Sequence, residues 1–168
     1  MRKLPLFGLL VAAIVFVLDQ ISKYLVTDVL KLDMLSAERT ITSFFDLRFV
    51  ANYGVSLGLL RADGNLQRWA LVAMTGAIAT GVLVWLWREP RRGDQLGLGL
   101  VLGGAIGNIL DRVRFGYVVD FADLHIGEWR PFLIFNVADA AITMGVMILI
   151  VRALLTREKS APVENTHA

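Results

Sequence analysis

Cysteine is absent from the 168 residues of this sequence. Thiol nucleophiles, thiolate metal sites and disulfides are therefore excluded, and any chemistry must use oxygen or nitrogen groups. Charged residues are also scarce, at 19% against 56% hydrophobic residues, and the mean hydropathy is +0.61. Soluble domains typically hold about 25% charged and about 45–50% apolar residues. The imbalance predicts a membrane protein.

A strong excess of positive charge is lacking as well. The formal net charge is +2 and the isoelectric point is about 9.2, with arginines that are scattered along the chain. This charge is too mild for a nucleic-acid surface, so we expect no nucleic-acid partner.

Four apolar runs are long enough to cross a bilayer. A membrane helix needs roughly 20 mostly apolar residues, because the hydrocarbon core is about 30 Å thick and a helix rises about 1.5 Å per residue. The runs predict spans at about 4–26, 69–87, 96–113 and 131–151, with outer loops at about 28–67 and 114–130. Arg2 and Lys3 precede the first run as in a cleaved signal peptide. The polar segment DQISK follows where a small-residue cleavage pattern belongs, so we interpret the run as a retained span.

The placement of positive charge predicts the orientation. Arg88, Arg91 and Arg92 crowd the short connection between the second and third spans, whereas the positive charges of the first loop are diluted over its length. Both termini are therefore expected in the cytoplasm. Residues 1–155 are predicted to form a single four-helix membrane domain, and residues 156–168 a polar, disordered cytoplasmic tail.

The two outer loops carry the remaining structural signals. Residues 45–49 alternate apolar and polar side chains, which predicts a half-buried strand, and residues 52–54 (NYG) predict a turn. Residues 55–60 are apolar and too short to span, which predicts a short interfacial helix. The expected fold class is an all-α membrane protein with four transmembrane helices, a small β-containing extracytoplasmic loop domain and this interfacial helix.

Alternation of four spans gathers several aspartates near one face of the membrane, whichever way the chain is oriented. The end of span one, the end of span three and the start of span four lie on the same side. The aspartates at this face are Asp19, Asp111, Asp120 and Asp139.

Asp139 lies eight residues into the predicted fourth span, so a helix from Pro131 would carry it about 12 Å along the axis. An ionised carboxylate at such depth costs at least about 2.5 kcal/mol, so it must be paired, protonated or facing water. Such a residue marks a functional site or a structural aspartate satisfied by a neighbouring helix. Asn136, three residues earlier, can donate a hydrogen bond to Asp139 under either interpretation.

Asp120 follows the third span in an apolar segment, YVVDF, with no evident partner nearby in the sequence. Alone it is typical of a solvated loop aspartate, but with Asp139 at the same face it becomes half of a possible dyad. Two nearby carboxylates share a proton, so that one is a base toward water while the other donates toward a carbonyl oxygen. Such a pair can hydrolyse a peptide bond without cysteine, serine or metal.

Further polar residues flank these aspartates. Asp19 and Lys23 are four residues apart near the end of span one, which predicts a structural ion pair. Asp111 and Arg112, after Asn108, predict a polar cluster that joins span three to its neighbours or clamps a substrate backbone. Small residues at four-residue steps let helices approach closely, so span three is expected to pack through its glycines. These glycines are Gly99, Gly103 and Gly107, with Gly104 beside them.

Three rival functions stay open at this point. Ser22 and Lys23 could form a serine–lysine dyad, although adjacent helical residues point about 100° apart. Asp120, Asp123 and His125 could bind a metal, although no HExxH motif or second nearby histidine supports it. A small transporter could use an intramembrane aspartate as a relay. A relay needs polar groups near both faces, whereas these cluster near one.

The motifs of the chain, taken together and in order, resemble those of the lipoprotein signal peptidase, or signal peptidase II, family. They are residues 19–23 (DQISK), 52–54 (NYG), 103–112 (GGAIGNILDR), 118–121 (VVDF) and 135–139 (FNVAD). The resemblance implies a membrane aspartic endopeptidase with Asp120 and Asp139 as the catalytic pair and with no metal or cofactor. It also implies that a further group of residues binds substrate or supports the site. This group is Asp19, Lys23, Asn52, Gly54, Gly104, Asn108, Asp111, Arg112 and Asn136.

The same resemblance implies the substrate and the setting. The substrate would be a prolipoprotein whose cysteine carries diacylglycerol, cut on the amino side of that cysteine. The enzyme would be a monomer in the bacterial inner membrane, in contact with membrane lipids, with its active site near the outer face. Two departures from the family pattern lie beside the site and are expected to alter pocket shape or substrate preference without abolishing the chemistry. They are residues 55–57 (VSL), where the family has Ala-Ala/Ser-Phe, and Ala140, where serine is frequent.

Overall fold

The computed structural model describes residues 4–33, 38–54 and 64–158. These residues form four long helices and three strands. The helices are α1 (Leu6–Tyr24), continued by a π-helix (Leu25–Val29), α2 (Gly64–Arg88), α3 (Arg92–Arg114) and α4 (Val137–Glu158). The strands are β1 (Glu38–Thr42), β2 (Phe45–Asn52) and β3 (Val118–Leu124).

Four helices are long and apolar enough to cross a membrane, which confirms the number of predicted spans. They cover Leu6–Val29, Asn65–Arg88, Arg92–Arg114 and Val137–Leu155, with mean hydropathies between 1.4 and 2.0. Helix α4 continues to Glu158, past the predicted start of the tail, and the rest of the predicted tail lies outside the described residues.

The predicted start of the fourth span at Pro131 is wrong, because α4 begins at Val137. Residues 131–136 instead run along the sheet, where Phe135 exchanges backbone hydrogen bonds of 3.1 and 2.8 Å with Ala122. Backbone paired in this way cannot also form the first turn of a helix. Asp139 therefore lies in the first turn of α4 and not some 12 Å into a helix.

A three-stranded antiparallel sheet in the order β1-β2-β3 packs against the end of the helical bundle. Strand β2 confirms the strand predicted at residues 45–49. Strand β3 falls in a segment expected to be a loop, because its residues are buried on both faces and so show no alternation. The buried side chains beneath the sheet come from Val26, Leu32, Phe49, Val119, Phe121 and Ala122.

The register of β2 against β3 brings distant polar residues side by side. Val50 pairs with Asp120 and Asn52 with Val118. After Asn52 the chain turns at Gly54, whose φ of 89° favours glycine. The Gly54 N–H donates to the Asn52 side-chain oxygen at 2.8 Å, as the NYG turn predicts. The interfacial helix predicted at residues 55–60 lies outside the described residues.

Helix α3 lies at the centre of the bundle and its glycines allow close contact on two sides, as the small-residue pattern predicts. A Cβ added at Gly99 would lie 2.5 Å from the Gly8 carbonyl oxygen of α1. A Cβ added at Gly104 would lie 2.5 Å from the Ala138 carbonyl oxygen of α4. The glycines of α3 therefore let this helix pack closely against both α1 and α4.

Substituting alanine at Gly103 is expected to destabilise the fold by about 1–3 kcal/mol through overpacking. A Cβ at Gly103 meets the Ala12 carbonyl oxygen of α1, which is backbone and cannot move aside cheaply. The measurement is the free energy of unfolding in detergent. The matched control is Gly81→Ala in α2, where nothing lies within 4 Å of the added Cβ. The control should be neutral or stabilising by up to about 1 kcal/mol, since alanine is the better helix former, and equal stability of the two variants would contradict this packing.

Candidate functional site

Asp120 lies at the third position of β3 and its side chain is enclosed by amides from two other segments. The residue is only 1% exposed. One carboxylate oxygen accepts a hydrogen bond from Asn52 Nδ2 at 2.8 Å, and the other accepts one from Asn136 Nδ2 at 2.7 Å. Both partners are distant in sequence, which is why no partner was evident from the local pattern.

Asp139 enters the same site from the first turn of α4. Its carboxylate accepts a hydrogen bond from Asn108 Nδ2 at 2.8 Å. Its backbone N–H donates to Asn136 Oδ1 at 2.9 Å, so Asn136 is the N-cap of α4. The predicted donation from Asn136 to the Asp139 carboxylate is wrong. Because the helix begins after Asn136, the side-chain oxygen caps the helix and the amide nitrogen is left to contact Asp120.

A pair of asparagines thus connects the two carboxylates. Asn136 Nδ2 lies 3.2 Å from Asn108 Oδ1 and 3.2 Å from the Val119 carbonyl oxygen. Asn136 is 1% exposed, so these contacts are shielded from water. The side chains of Asp120 and Asp139 are therefore held by one hydrogen-bonded unit, although they come from β3 and α4.

The environment of Asp120 favours its protonated form. Burial of the carboxyl, together with the negative charge of Asp139, raises its pKa to about 6, against the opposing hydrogen bonds from Asn52 and Asn136. A carboxyl with such a pKa can hold a proton near neutral pH and can also release it. The arrangement is suited to acid–base chemistry between two carboxylates.

A buried ion cluster lies beneath the two aspartates. Lys23 Nζ is 2.8 Å from a carboxylate oxygen of Asp19 and 2.8 Å from one of Asp111, and it donates to Asn108 Oδ1 at 3.2 Å. This confirms the Asp19–Lys23 ion pair and the prediction that the polar residues of span three join it to its neighbours.

The ion cluster also holds the backbone next to each aspartate. The second oxygen of Asp19 accepts the Ala138 N–H at 3.0 Å, one residue before Asp139. Asp111 accepts the Val119 N–H at 3.1 Å, one residue before Asp120. The close packing of Gly107 is part of this arrangement, since a Cβ there would lie 2.5 Å from an Asp19 oxygen. Asp19 and Asp111 therefore position both carboxylates through the main chain.

Arg112 and Arg68 lie at the edge of the site. Arg112 Nη1 lies 3.4 Å from the Asn108 carbonyl oxygen, and its Nε is buried without a hydrogen-bond partner among the described residues. A Cβ at Gly54 would lie 3.5 Å from Arg112 Nη2, so the turn after β2 passes close to this guanidinium. Arg68 of α2 donates to the carbonyl oxygens of Arg112 at 2.6 Å and Val113 at 2.5 Å. Sequence reasoning missed Arg68, because a cap on the C-terminus of another helix leaves no local signal.

Two cavities flank the aspartates and share the wall formed by residues 131–133. The first, of about 830 Å³, is lined by Asp120, Asn52 and Gly54. The second, of about 520 Å³, is lined by Asp139 and by residues of α4 that include Ala140 and Met144. Met144 is 59% exposed on the bundle surface, so the second cavity opens toward the region that lipid would occupy. Of the two family departures, Ala140 lies in this cavity, and residues 55–57 lie outside the described residues.

The side chains of the rival serine–lysine site have other partners. Ser22 Oγ donates to the Asp19 carbonyl oxygen at 2.8 Å, one turn back along its own helix. Lys23 is held between Asp19 and Asp111. The structure therefore does not assemble Ser22 and Lys23 into a nucleophile–base pair.

The residues of the rival metal site are likewise separated. His125 Nε2 is 2.9 Å from Asp46, and Asp123 accepts a hydrogen bond from Arg130 at 3.0 Å. In the ranges 4–33, 38–54 and 64–158, no group of three histidine, cysteine or acidic residues is placed to hold a metal ion. Asp120, Asp123 and His125 thus have separate partners.

Comparisons with known proteins agree with this geometry. The family model described as signal peptidase (SPase) II matches residues 11–155. The lipoprotein signal peptidase of Rhizorhabdus wittichii is 59% identical over 96% of this chain and 93% of its own. That of Sphingopyxis alaskensis is 54% identical over 92% and 88%. A bacterial membrane enzyme solved by the in meso method at 2.3 Å resolution superposes with a TM-score of 0.75 and 27% identity, covering 94% of this chain and 93% of that chain.

These matches cover nearly the whole chain and include the segments that carry the aspartates and asparagines described above. Four membrane-crossing helices and similarity to a membrane enzyme make the protein a multi-pass membrane protein. The relatives are named as peptidases and not as transporters. The chain belongs to the signal peptidase II family of membrane proteases.

Proposed function

We propose that this protein removes the signal peptide from prolipoproteins whose cysteine carries diacylglycerol, by cutting the peptide bond on the amino side of that cysteine. The observation that supports the proposal most is the asparagine-linked pair of carboxylates, Asp120 and Asp139, between two cavities. The relatives at 59% and 54% identity carry the name lipoprotein signal peptidase.

In the proposed reaction the two carboxyls share one proton and hold one water molecule. The ionised carboxylate takes a proton from the water as its oxygen attacks the scissile carbonyl carbon. The protonated carboxyl donates toward the carbonyl oxygen, giving a tetrahedral intermediate. As the intermediate collapses and the C–N bond breaks, one of its two hydroxyl protons returns to the ionised carboxylate, and the other carboxyl delivers its proton to the leaving amine of the lipidated cysteine. The two steps leave the pair with one proton, so the roles of acid and base belong to the pair and not to either residue.

The cavities suggest how the substrate is held. The cavity beside Asp139 is lined mainly by apolar side chains and opens toward lipid, so acyl chains can stay in the bilayer while the peptide reaches the aspartates. The cavity beside Asp120 is lined by residues 50–54, at the end of β2 and the turn that follows it, so a peptide bound there would lie next to the Asp120 carboxyl. In this proposal Arg112 and Gly54 lie at the edge of the site and contact peptide carbonyl oxygens or headgroup oxygens.

The remaining polar residues act as supports in this proposal. Asn52, Asn108 and Asn136 orient the carboxylates, and Asp19, Lys23 and Asp111 hold the backbone beside them. Gly104 lets α4 approach α3 closely enough for Asn108 to reach Asp139. The reaction uses no metal or cofactor. We further propose a monomer in the inner membrane with both termini in the cytoplasm and the aspartates near the outer face, where lipidated substrates are presented.

The proposal is tested by incubating the purified protein in detergent with a diacylglyceryl-modified prolipoprotein and measuring the product masses. The expected products are a free signal peptide and a chain that begins with the lipidated cysteine. An unmodified prolipoprotein should be cut far more slowly. A chelator and the Ser22→Ala substitution should leave the rate unchanged. Cleavage at another bond, equal cleavage of the unmodified substrate, or loss of activity with the chelator would contradict the proposal.

The pH dependence of cleavage should respond to Asn52. Burial raises the pKa of Asp120 to about 6, and the hydrogen bond from Asn52 opposes this. Loss of the shared proton should therefore lower kcat/KM as the pH rises through about 6. Asn52→Leu keeps a branched side chain but removes the donor to the carboxylate, so the pKa of Asp120 rises further. The falling limb should then move upward by about one pH unit, since a hydrogen bond to a charged group contributes about 1.5 kcal/mol.

The measurement is kcat/KM against pH for the wild type and Asn52→Leu. Asn65→Leu is a control, because Asn65 is an exposed residue at the start of α2 and should leave the profile in place. A falling limb that stays at the same pH, or moves downward, in Asn52→Leu would exclude Asp120 as the group that holds the shared proton.

A further inference from the structure

A third cavity, of about 260 Å³, lies apart from the aspartates, where α1 and α3 end. Its walls include Asp28 and Lys31, which follow α1, and Arg114 and Phe115 at the end of α3. None of its lining residues lines either cavity beside the aspartates. The proposed reaction therefore gives this cavity no task.

Two cations that face this cavity lack acidic partners. Within residues 4–33, 38–54 and 64–158, Lys31 forms no ion pair or side-chain hydrogen bond, and neither does Arg114. The Arg114 guanidinium lies over the Phe115 ring at 4.9 Å from its centroid. This contact uses the face of the guanidinium and leaves its N–H donors available to a ligand. Both positive charges are therefore available to an anionic group of a ligand.

The backbone that carries Lys31 is unusual. The preceding segment, Leu25–Val29, is a π-helix, and such turns occur frequently at functional sites. Lys31 itself has a φ of 57°, a left-handed conformation that costs a residue with a Cβ about 1–2 kcal/mol. Glycine would avoid this cost.

The cavity lies at the boundary between the apolar spans and water. The first span ends at Val29 and the third at Arg114. Tyr24 and Phe115 line the cavity and are 59% and 47% exposed, as aromatic side chains at the headgroup layer commonly are. The anions present at high concentration in that layer are lipid phosphates.

The acidic residues in the cavity restrict which lipid headgroups can bind there. Asp28 and Asp33 line the same space as Lys31 and Arg114, and among the described residues none of these four forms an ion pair, although Asp28 accepts a hydrogen bond from Thr27 Oγ1 at 2.7 Å. A headgroup with a phosphate and a primary ammonium complements both charges, whereas a phosphate with an uncharged glycerol complements only the cations. The volume lies below the roughly 300–1,000 Å³ of most small-molecule pockets, which suits a headgroup whose acyl chains remain in the bilayer.

We propose that this cavity binds the headgroup of an aminophospholipid, with the phosphate at Lys31 and Arg114 and the ammonium at Asp28 and Asp33. The cavity is also lined by Lys23 and Asp111 of the buried ion cluster. A bound headgroup therefore contacts the residues that position β3, yet the binding site is separate from the aspartates.

The test is native mass spectrometry of the full chain in detergent with equal amounts of phosphatidylethanolamine and phosphatidylglycerol. The wild type should retain one phosphatidylethanolamine in preference to phosphatidylglycerol. The double variant Lys31→Gln/Arg114→Gln should retain about 25-fold less of it, since each cation near a lipid phosphate contributes about a factor of five. The matched control is Arg88→Gln/Arg91→Gln, which removes two exposed arginines at the other end of the bundle and should bind as the wild type does.

Two further arms identify the source of the phosphate and the task of the acidic residues. Added inorganic phosphate should not displace the lipid, and displacement would assign the cavity to a free anion and overturn the proposal. Asp28→Asn/Asp33→Asn should bind the two lipids equally. Equal retention of both lipids by the wild type, or undiminished retention by a folded Lys31→Gln/Arg114→Gln variant, would also overturn it. All of these readouts are independent of cleavage, so they hold even if the proposed catalytic function fails.

Discussion

Replacing either Asp120 or Asp139 with asparagine is expected to lower kcat for cleavage by at least about a thousandfold. An amide has the size of a carboxyl but cannot take a proton from water or deliver one to the leaving amine. The effect should fall on kcat, while binding of the lipidated substrate is largely retained, because the proposed cavities are lined mainly by other residues. The measurement is steady-state cleavage of the diacylglyceryl-modified prolipoprotein.

These variants should remain folded, which makes the loss interpretable. Replacing the Asp120 carboxyl, which is 1% exposed, by a neutral amide loses one of its two accepted hydrogen bonds, but the lower cost of burying an uncharged group offsets this loss. The matched control is Asp94→Asn. Asp94 pairs with Arg152 at 2.6 Å, near the opposite end of α3, and its replacement should leave kcat within a factor of about two. Near-normal turnover by either Asp120→Asn or Asp139→Asn would rule out the dyad.

The second large effect is expected on stability. Lys23→Met should destabilise the protein by about 3–5 kcal/mol, the usual cost of removing one partner from a buried charge cluster. Methionine fills the space of the lysine stem, but it leaves Asp19 and Asp111 buried at 0% and 1% exposure without their shared cation. Activity should fall as well, because these two carboxylates hold the backbone beside Asp139 and Asp120.

The measurement is the free energy of unfolding in detergent for Lys23→Met. Lys31→Met is a control, since Lys31 is exposed and outside the ion cluster, and it should change stability by less than about 0.5 kcal/mol. Adding Asp111→Asn to Lys23→Met should recover part of the loss, because one uncompensated charge is removed. If Lys23→Met unfolds like the wild type, the cluster does not hold the site together.

Local sequence patterns were sufficient to predict much of this architecture. Run length predicted four spans because crossing a bilayer requires a fixed length of apolar helix. The strand near Phe45 was visible because apolar and polar residues alternate in its sequence, although the polar Asp46 is buried in the structure. Strand β3 was not visible, since burial on both faces removes the alternation on which such predictions depend.

The start of α4 was also mispredicted, because local sequence alone does not reveal pairing with a distant strand. Hydropathy continues through Phe132, Leu133 and Phe135, so an apolar run predicts a helix from Pro131. The pairing of Phe135 with Ala122 depends on a strand that comes earlier in the chain, and apolar composition does not distinguish a lipid-facing helix from a loop across a sheet.

The sequence predicted which residues belong to the candidate site, but it did not predict which of them contact one another. Asp120, Asp139 and the asparagines were identified, with the motif resemblance supplying their proposed roles. Their contacts were not predicted, because the hydrogen bonds between Ala138 and Asp19 and between Asn52 and Asp120 join residues that are 119 and 68 positions apart. No local rule connects such positions, and only the packing of α1, α3 and α4 around the glycines of α3 brings them together.

The central claim is that Asp120 and Asp139 activate a water that attacks the bond before the lipidated cysteine. Its most direct test is a single-turnover cleavage of the modified prolipoprotein by the wild type in water enriched in oxygen-18, with the masses of protein and products followed over time. If the two aspartates activate a water, both products form in one phase, the signal peptide carboxylate gains one heavy oxygen, and the protein mass never changes. An early burst of the lipidated product with a signal peptide adduct on the protein would reveal a covalent nucleophile and contradict it.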